Sequence, residues 1–192
     1  MSARQLANAQ NVRPSLNSRE IGLMTRLLHW TIAALLVSSF AAAWAFNFLE
    51  PGPVAAFLVL FHQSIGLVLL VLMLVRFAWR VTHPLPSLPG SVPHWEKLAA
   101  FTVQAALYAA LLAMPLIGWL GSNAQGDTVD IFGLWTLPDL VDANKNLADE
   151  LFSVHGMLSW VVIIMIAMHI AGALRHHFIK RDAVLVAMLK GQ

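Results

Sequence analysis

Between Leu151 and Leu174 the chain runs LFSVHGMLSWVVIIMIAMHIAGAL, twenty-four residues without an Asp, Glu, Lys or Arg, and no other feature constrains the fold as much. At ~1.5 Å per residue such a helix crosses a hydrocarbon core of roughly 30 Å. It carries His155 and His169, fourteen residues apart. That spacing is close to four helical turns, so both rings leave one face, ~21 Å apart along the axis, one near each membrane surface. Ionisable groups inside a membrane are costly and mark function, so two of them facing inward call for partners on other helices.

The composition agrees: of 192 residues, 58% are hydrophobic and 11% charged, outside the range of soluble domains. There is no cysteine, which excludes disulfides, thiolate-held iron-sulfur clusters and cysteine-ligated zinc, and leaves histidine as the strong borderline metal ligand. Residues 1–26 are polar, contain Arg4, Arg13, Arg19 and Arg26, and read as a cytoplasmic tail. The first apolar span is 27–49. The small residues Ala41 to Ala45 could mimic a signal-peptide cleavage site, but the run continues to Glu50, longer than a secretory core of roughly 7 to 15 residues, and retention is expected.

Pro51-Gly52-Pro53 makes a tight turn into a second span, 54–75, closed by Arg76 and Arg80. The Pro-rich connector THPLPSLPGSVPHWEK leads to a third span, 98–120, which Pro115 should bend near its end. Gly121 to Glu150 reads as a long polar surface loop, with Asp127, Asp130, Asp139, Asp142, Asp149 and Glu150 against Lys145. The fourth span is 151–174. Residues 176–192 form a basic amphipathic tail expected to extend the helix along the membrane surface. Every Lys and Arg except Lys145 falls in the N-terminal tail, the second connector or the C-terminal tail, so the positive-inside rule puts both termini in the cytoplasm. The expected fold is all-α, an integral-membrane four-helix up-down bundle over 27–175, whose interior is the usual cofactor site. No Gly-rich phosphate loop, GxxxG repeat or nucleophile-base motif stands out, and no nucleic-acid partner is expected.

Depth sorts the remaining histidines. His29 is three residues after Arg26, ~5 Å inside the cytoplasmic edge, and His169 is six before Arg175, ~9 Å inside. These two can face each other. His62 lies ~13 Å from the outer surface and His155 ~8 Å from it. On depth alone His62 is nearly equidistant from both histidines of the fourth span, so it pairs with His155 by elimination. Zinc would want about four ligands, and each pair offers two, with no Asp, Glu or Cys in the spans. Haem needs only two axial ligands, because its macrocycle supplies the other four nitrogens. Without a cysteine attachment is non-covalent, as in haem b, and two haems follow. Arg76, Arg80 and Arg26 stand at the cytoplasmic level as candidate propionate partners.

A lone intramembrane histidine can simply hydrogen-bond across helices; four at matched depths speak against that reading. His83 and His94, in the connector, read as surface residues. Arg175, His176 and His177, just past the membrane edge, are either interfacial anchors or part of a quinone site beside the inner haem. The tryptophans near span ends fit an aromatic belt, and Met165 and Met168 fit packing.

RLLHW at 26–30, FHQSIG at 61–66, RFAWR at 76–80, LY at 107–108, MPLIGWL at 114–120, the pair His155 and His169, and HHFIKRD at 176–182 together resemble the bacterial cytochrome b561 family from Met24 to Lys190. The resemblance implies a four-helix bundle in the bacterial inner membrane with two b haems, the inner on His29 and His169 and the outer on His62 and His155. It also implies electron exchange with ubiquinone, and one branch is similar to a superoxide:ubiquinone oxidoreductase. Two departures stand out: Gln104 where many relatives have histidine, and Val186-Ala187 where many have Arg-Met. Superoxide is an anion, and the outer loops carry Glu50 and six further acids against Lys145, a field that slows its approach. The alternative is a non-catalytic relay from quinol to a periplasmic redox protein, which acidic loops suit. Histidine-based metal transport without haem is a third, weaker reading. Homo-oligomerisation stays open.

Overall fold

The computed structural model describes residues 21–84 and 92–191. Residues 1–20, with Arg4, Arg13 and Arg19, and the middle of the Pro-rich connector lie outside the described residues. In chain order the structure contains α1 (Leu23–Asn47), α2 (Pro53–Thr82), α3 (His94–Gln125), β1 (Asp130–Ile131), β2 (Trp135–Thr136), α4 (Lys145–Arg175), a π-helical turn (His176–Lys180) and α5 (Val184–Lys190). Four helices are long and apolar enough to cross a membrane.

Local chemistry sets the helix ends. Pro53 starts α2 at the first turn, where its missing N–H is no loss. Gly126, at φ 95°, closes α3 in the left-handed conformation that glycine accepts most readily. The Asn144 side chain accepts a bond from Leu147 N at 3.2 Å and opens α4. The short α1–α2 turn makes those helices an antiparallel hairpin, and α3 and α4 form a second one. Ile32, Ile65, Leu69 and Met73 make the buried apolar centre, with Leu36, Phe61, Tyr108 and Leu111 packed around it. Outward, Val37, Phe57, Val71, Phe101 and Ile164 are exposed, as a surface solvated by lipid requires. The α3–α4 seam is close: a Cβ added at Gly121 would meet the Phe152 ring at 3.0 Å.

Two segments differ from expectation. The long surface loop is shorter than its polarity suggests, because α3 runs to Gln125 and α4 begins at Lys145. Between them β1 and β2 pair antiparallel, Asp130 opposite Thr136 and Ile131 opposite Trp135. Buried Asn123 organises the turn: its Nδ2 donates to Asp127 O (3.2 Å) and Asp139 Oδ1 (3.0 Å), and its Oδ1 accepts from Leu140 N (3.0 Å). The C-terminal tail folds back instead of continuing the helix. Glu96 binds Arg175 at 2.8 Å and Lys180 at 3.2 Å, while Asp182 binds His176 Nδ1. Beyond Arg181, at φ 53°, α5 returns to the start of α1. There Arg26 Nη2 donates to Leu189 O (2.7 Å), Trp30 Nε1 donates to Met188 O (3.2 Å), and Ala187 is fully buried.

Gly121→Val should therefore overpack the α3–α4 seam and lower unfolding stability by on the order of 1–3 kcal/mol. Gly172→Ala, where an added Cβ meets nothing within 4 Å, should not. Equilibrium unfolding of the two variants in mixed detergent micelles checks this.

Candidate functional site

The fold brings the four intramembrane histidines together in two pairs. His29 of α1 faces His169 of α4 with ring centres 6.1 Å apart and planes at 60°. His62 of α2 faces His155 of α4 at the same 6.1 Å, with planes at 74°. Helix α4 thus supplies one member of each pair. No group of three or more His, Cys, Asp or Glu able to hold a metal ion occurs among the described residues. Each pair stands as two nitrogen donors and no more.

The outer pair has a defined orientation. His62 Nδ1 lies 3.0 Å from both the carbonyl and the hydroxyl oxygen of Ser39. The carbonyl can only accept, so it fixes the proton on Nδ1 and leaves Nε2 as the lone-pair nitrogen. A metal-binding histidine is held in this way by a backbone acceptor on its other nitrogen. His155 is placed differently. A Cβ added at Gly118 would come within 3.3 Å of its Cε1, so the bare backbone of α3 makes room for the ring. Its Nδ1 is buried without a hydrogen-bond partner, though the Met114 carbonyl lies nearby.

Both histidines line a cavity of about 1160 Å³, walled by Phe40, Leu69, Met73, Leu111 and Val162 among others. Gln63, whose Nε2 donates to Ser122 Oγ at 3.2 Å, adds a polar group to it, and Asp127 adds a carboxyl group. The volume lies above that of most small-ligand pockets and its lining is chiefly apolar, as a large flat macrocycle requires.

At the inner end the surroundings are basic. Arg76 lies beside both His29 and His169. Its Nε donates to Tyr108 Oη at 3.1 Å, and its Nη1 is buried without a partner. Arg80 Nη1 and Arg26 Nε are likewise buried and unpartnered, although Arg26 also binds the tail through Leu189. These guanidinium atoms have unmet donors that a carboxylate would satisfy. Of the other candidates, Arg175 is engaged by Glu96 and His176 by Asp182, while His177 lies edge-on to Phe178. His83 stacks on Trp79 with centroids 3.7 Å apart, and Trp79 Nε1 donates to Thr25 Oγ1 at 3.0 Å. Ser39 and Gly118 went unrecognised in the sequence. A polar serine within an apolar span was the available signal for the first; nothing local announced the second.

The chain matches the family described as Prokaryotic cytochrome b561 over residues 20–191, and it belongs to that family. Its curated relatives include Cytochrome b561 homolog 2 of Escherichia coli (strain K12), 38% identical over 67% of this chain and 68% of that one. Probable superoxide oxidase CybB of Yersinia pestis is 28% identical over 84% and 91%. Cytochrome b561 homolog 1 of Escherichia coli (strain K12) is 28% identical over 84% and 92%. The chain is therefore a bacterial membrane protein of a family that transfers electrons and binds b-type haem.

The paired histidines fit that group. An imidazole nitrogen sits about 2.0–2.1 Å from a metal it ligates, so ring centres 6.1 Å apart leave room for one metal ion that each pair would hold. Both pairs have that separation. Gly118→Leu, which fills the space taken by His155, should accordingly lower haem per chain in a pyridine haemochrome assay, whereas Gly172→Ala should leave it unchanged.

Proposed function

We propose that this protein is a dihaem b-type cytochrome moving electrons between the periplasmic face of the bacterial inner membrane and the quinone pool, with both termini cytoplasmic. In this reading 27–175 is the haem-binding domain, flanked by tails 1–26 and 176–192. His29 and His169 hold the inner haem, His62 and His155 the outer. The observation that carries the reading is the repetition of one 6.1 Å histidine spacing at two depths on one helix pair after another. When bound, the haems supply two one-electron redox centres, one toward each end of the bundle.

The chain's own residues do the rest. Ser39 fixes the tautomer of His62, and Gly118 admits His155 against α3. Ile32, Ile65, Leu69 and Met73 keep water out between the two levels. Arg76, Arg80 and Arg26 offer their unmet donors to propionate carboxylates at the inner rim. A quinone near Arg175, His176 and His177 would meet His176 with Nδ1 already bonded to Asp182. Its Nε2 is the atom left to hydrogen-bond a quinone oxygen, with Asp182 holding the ring in place.

The sharpest form of the reaction oxidises two superoxide anions to dioxygen and passes their two electrons, with two protons, to one ubiquinone. The relative carrying the superoxide oxidase name supports this form. A second reading, a relay from quinol to a periplasmic redox protein, is favoured by the outer cavity itself, where Asp127 is present and, among the described residues, no Lys or Arg lines the wall. Anions are repelled there and a cationic partner is drawn in.

An optical spectrum with haem per chain, followed by a superoxide pulse and then a ubiquinone analogue, separates the two. Two haems reduced by the pulse and reoxidised by quinone support the oxidase; two haems untouched by superoxide support the relay. His155→Ala and His169→Ala should each lose one haem, and retention of both in either variant sinks the assignment. His176→Ala should keep the spectrum and slow reoxidation by quinone several-fold; an unchanged rate returns His176 to a purely structural pairing with Asp182.

A further inference from the structure

Within the acidic connector, Ile131 to Trp135 reads IFGLW, five residues without a charge. They form the turn of the β1–β2 ribbon, and protein leaves them uncovered: Phe132 is 45% exposed, Trp135 70% and Leu134 88%. Yet the turn is firmly held. Ser64 of α2, wholly buried, accepts a bond from Phe132 N at 2.8 Å. Its hydroxyl also lies 3.2 Å from the Asp130 carbonyl and 2.7 Å from that of Leu60. Phe132 sits at φ 52°, a conformation unfavourable for a bulky residue and kept only where the surroundings enforce it.

The anchor fixes the depth of the ribbon. Ser64 is ten residues beyond Val54, where the charge-free run of α2 begins, and so ~15 Å along it. It is two residues from His62, at the level of the outer histidine pair. A turn fastened to Ser64 lies at hydrocarbon depth, level with the exposed apolar side chains of the helices. Backbone at that depth has to find its hydrogen bonds inside the protein. Here Phe132 N goes to Ser64, Leu134 N to Ile131 O (2.9 Å) and Leu137 N to Val129 O (2.8 Å). Asp130, the carboxylate on the ribbon, is bonded to Thr136 Oγ1 on the opposite strand.

We propose that the Phe132–Trp135 tip is a membrane-inserted element whose side chains contact the lipid of the outer leaflet. It continues the lipid-facing surface of the four helices, and Trp135 is the residue type that settles at the boundary of such a surface. The ribbon then does two things at once. It packs on α2 at the level of the outer site, and it holds the acidic connector down on the membrane surface.

Since the chain has no cysteine, one introduced thiol carries one spin label. Leu134→Cys and Trp135→Cys, labelled and reconstituted in phospholipid vesicles, are compared for collisions with oxygen, which partitions into acyl chains, and with a water-soluble nickel chelate. Val71→Cys on the exposed side of α2 and Asp142→Cys in the connector give the lipid and water references. The oxygen-to-nickel ratio at the tip should exceed that of Asp142→Cys several-fold and approach that of Val71→Cys. A ratio at both tip positions equal to that of Asp142→Cys overturns the proposal and leaves the tip in water, free for a soluble partner. Haem content and helical circular dichroism, measured on each labelled protein, show that a variant has folded, and two independent positions keep the test standing if one has not.

Discussion

A histidine inside hydrocarbon needs something to bind, and this chain places two on one helix. Everything about the bundle follows from answering both. Helix α4 must meet α1 near its inner end and α2 near its outer end, because His29 and His62 lie there. One helix therefore faces both halves of the α1–α2 hairpin at different depths through its two histidine rings. The close α3–α4 seam at Gly118 and Gly121 then carries α3 along with α4. Without solvent to drive helices together, close backbone approach and satisfied polar groups have to hold them.

The two ends of the bundle are built with opposite charge. At the His29–His169 end, guanidinium groups of Arg26, Arg76 and Arg80 retain unmet buried donors, and the acids described there, Glu96 and Asp182, are consumed by Arg175, Lys180 and His176. At the other end carboxylates prevail and Lys145 is spent on Asp149, one helical turn away, a pairing worth little at an exposed site. A potential gradient along the bundle axis results, positive toward the inner site. It favours an anionic group or a reduced, electron-rich centre at the inner end, where the quinone contacts are proposed.

The four helices were legible in the sequence because charge-free runs of that length have one stable form in a bilayer, and the histidine pairs because a fourteen-residue spacing survives any uncertainty about helix ends. What stayed hidden shares a physical cause. Helix ends outside the hydrocarbon are set by caps and ion pairs, as at Asn144 and Glu96, so hydropathy stopped α3 and α4 several residues short. The ribbon has strands of two residues, too short for an alternating pattern, and is held through Ser64, more than sixty residues away. Gly118 acts by what it lacks, which only the neighbouring ring reveals.

The returning tail depends on one small residue. Ala187, in its middle, is completely buried. A methionine there would add three heavy atoms to a position with no free volume, a change that costs on the order of 1–3 kcal/mol in a packed site. Docking of α5 in this form therefore depends on a small residue at 187. The docked tail in turn occupies Arg26, through Leu189 O, and Trp30, through Met188 O, the two side chains that flank His29 in sequence. Arg26, Arg76 and Arg80 each keep one buried nitrogen without a partner, Nε in the first and Nη1 in the other two. The His29–His169 end of this protein therefore draws its unmet donors from both α1 and α2 and its covering from the C-terminal segment, with Arg26 serving both.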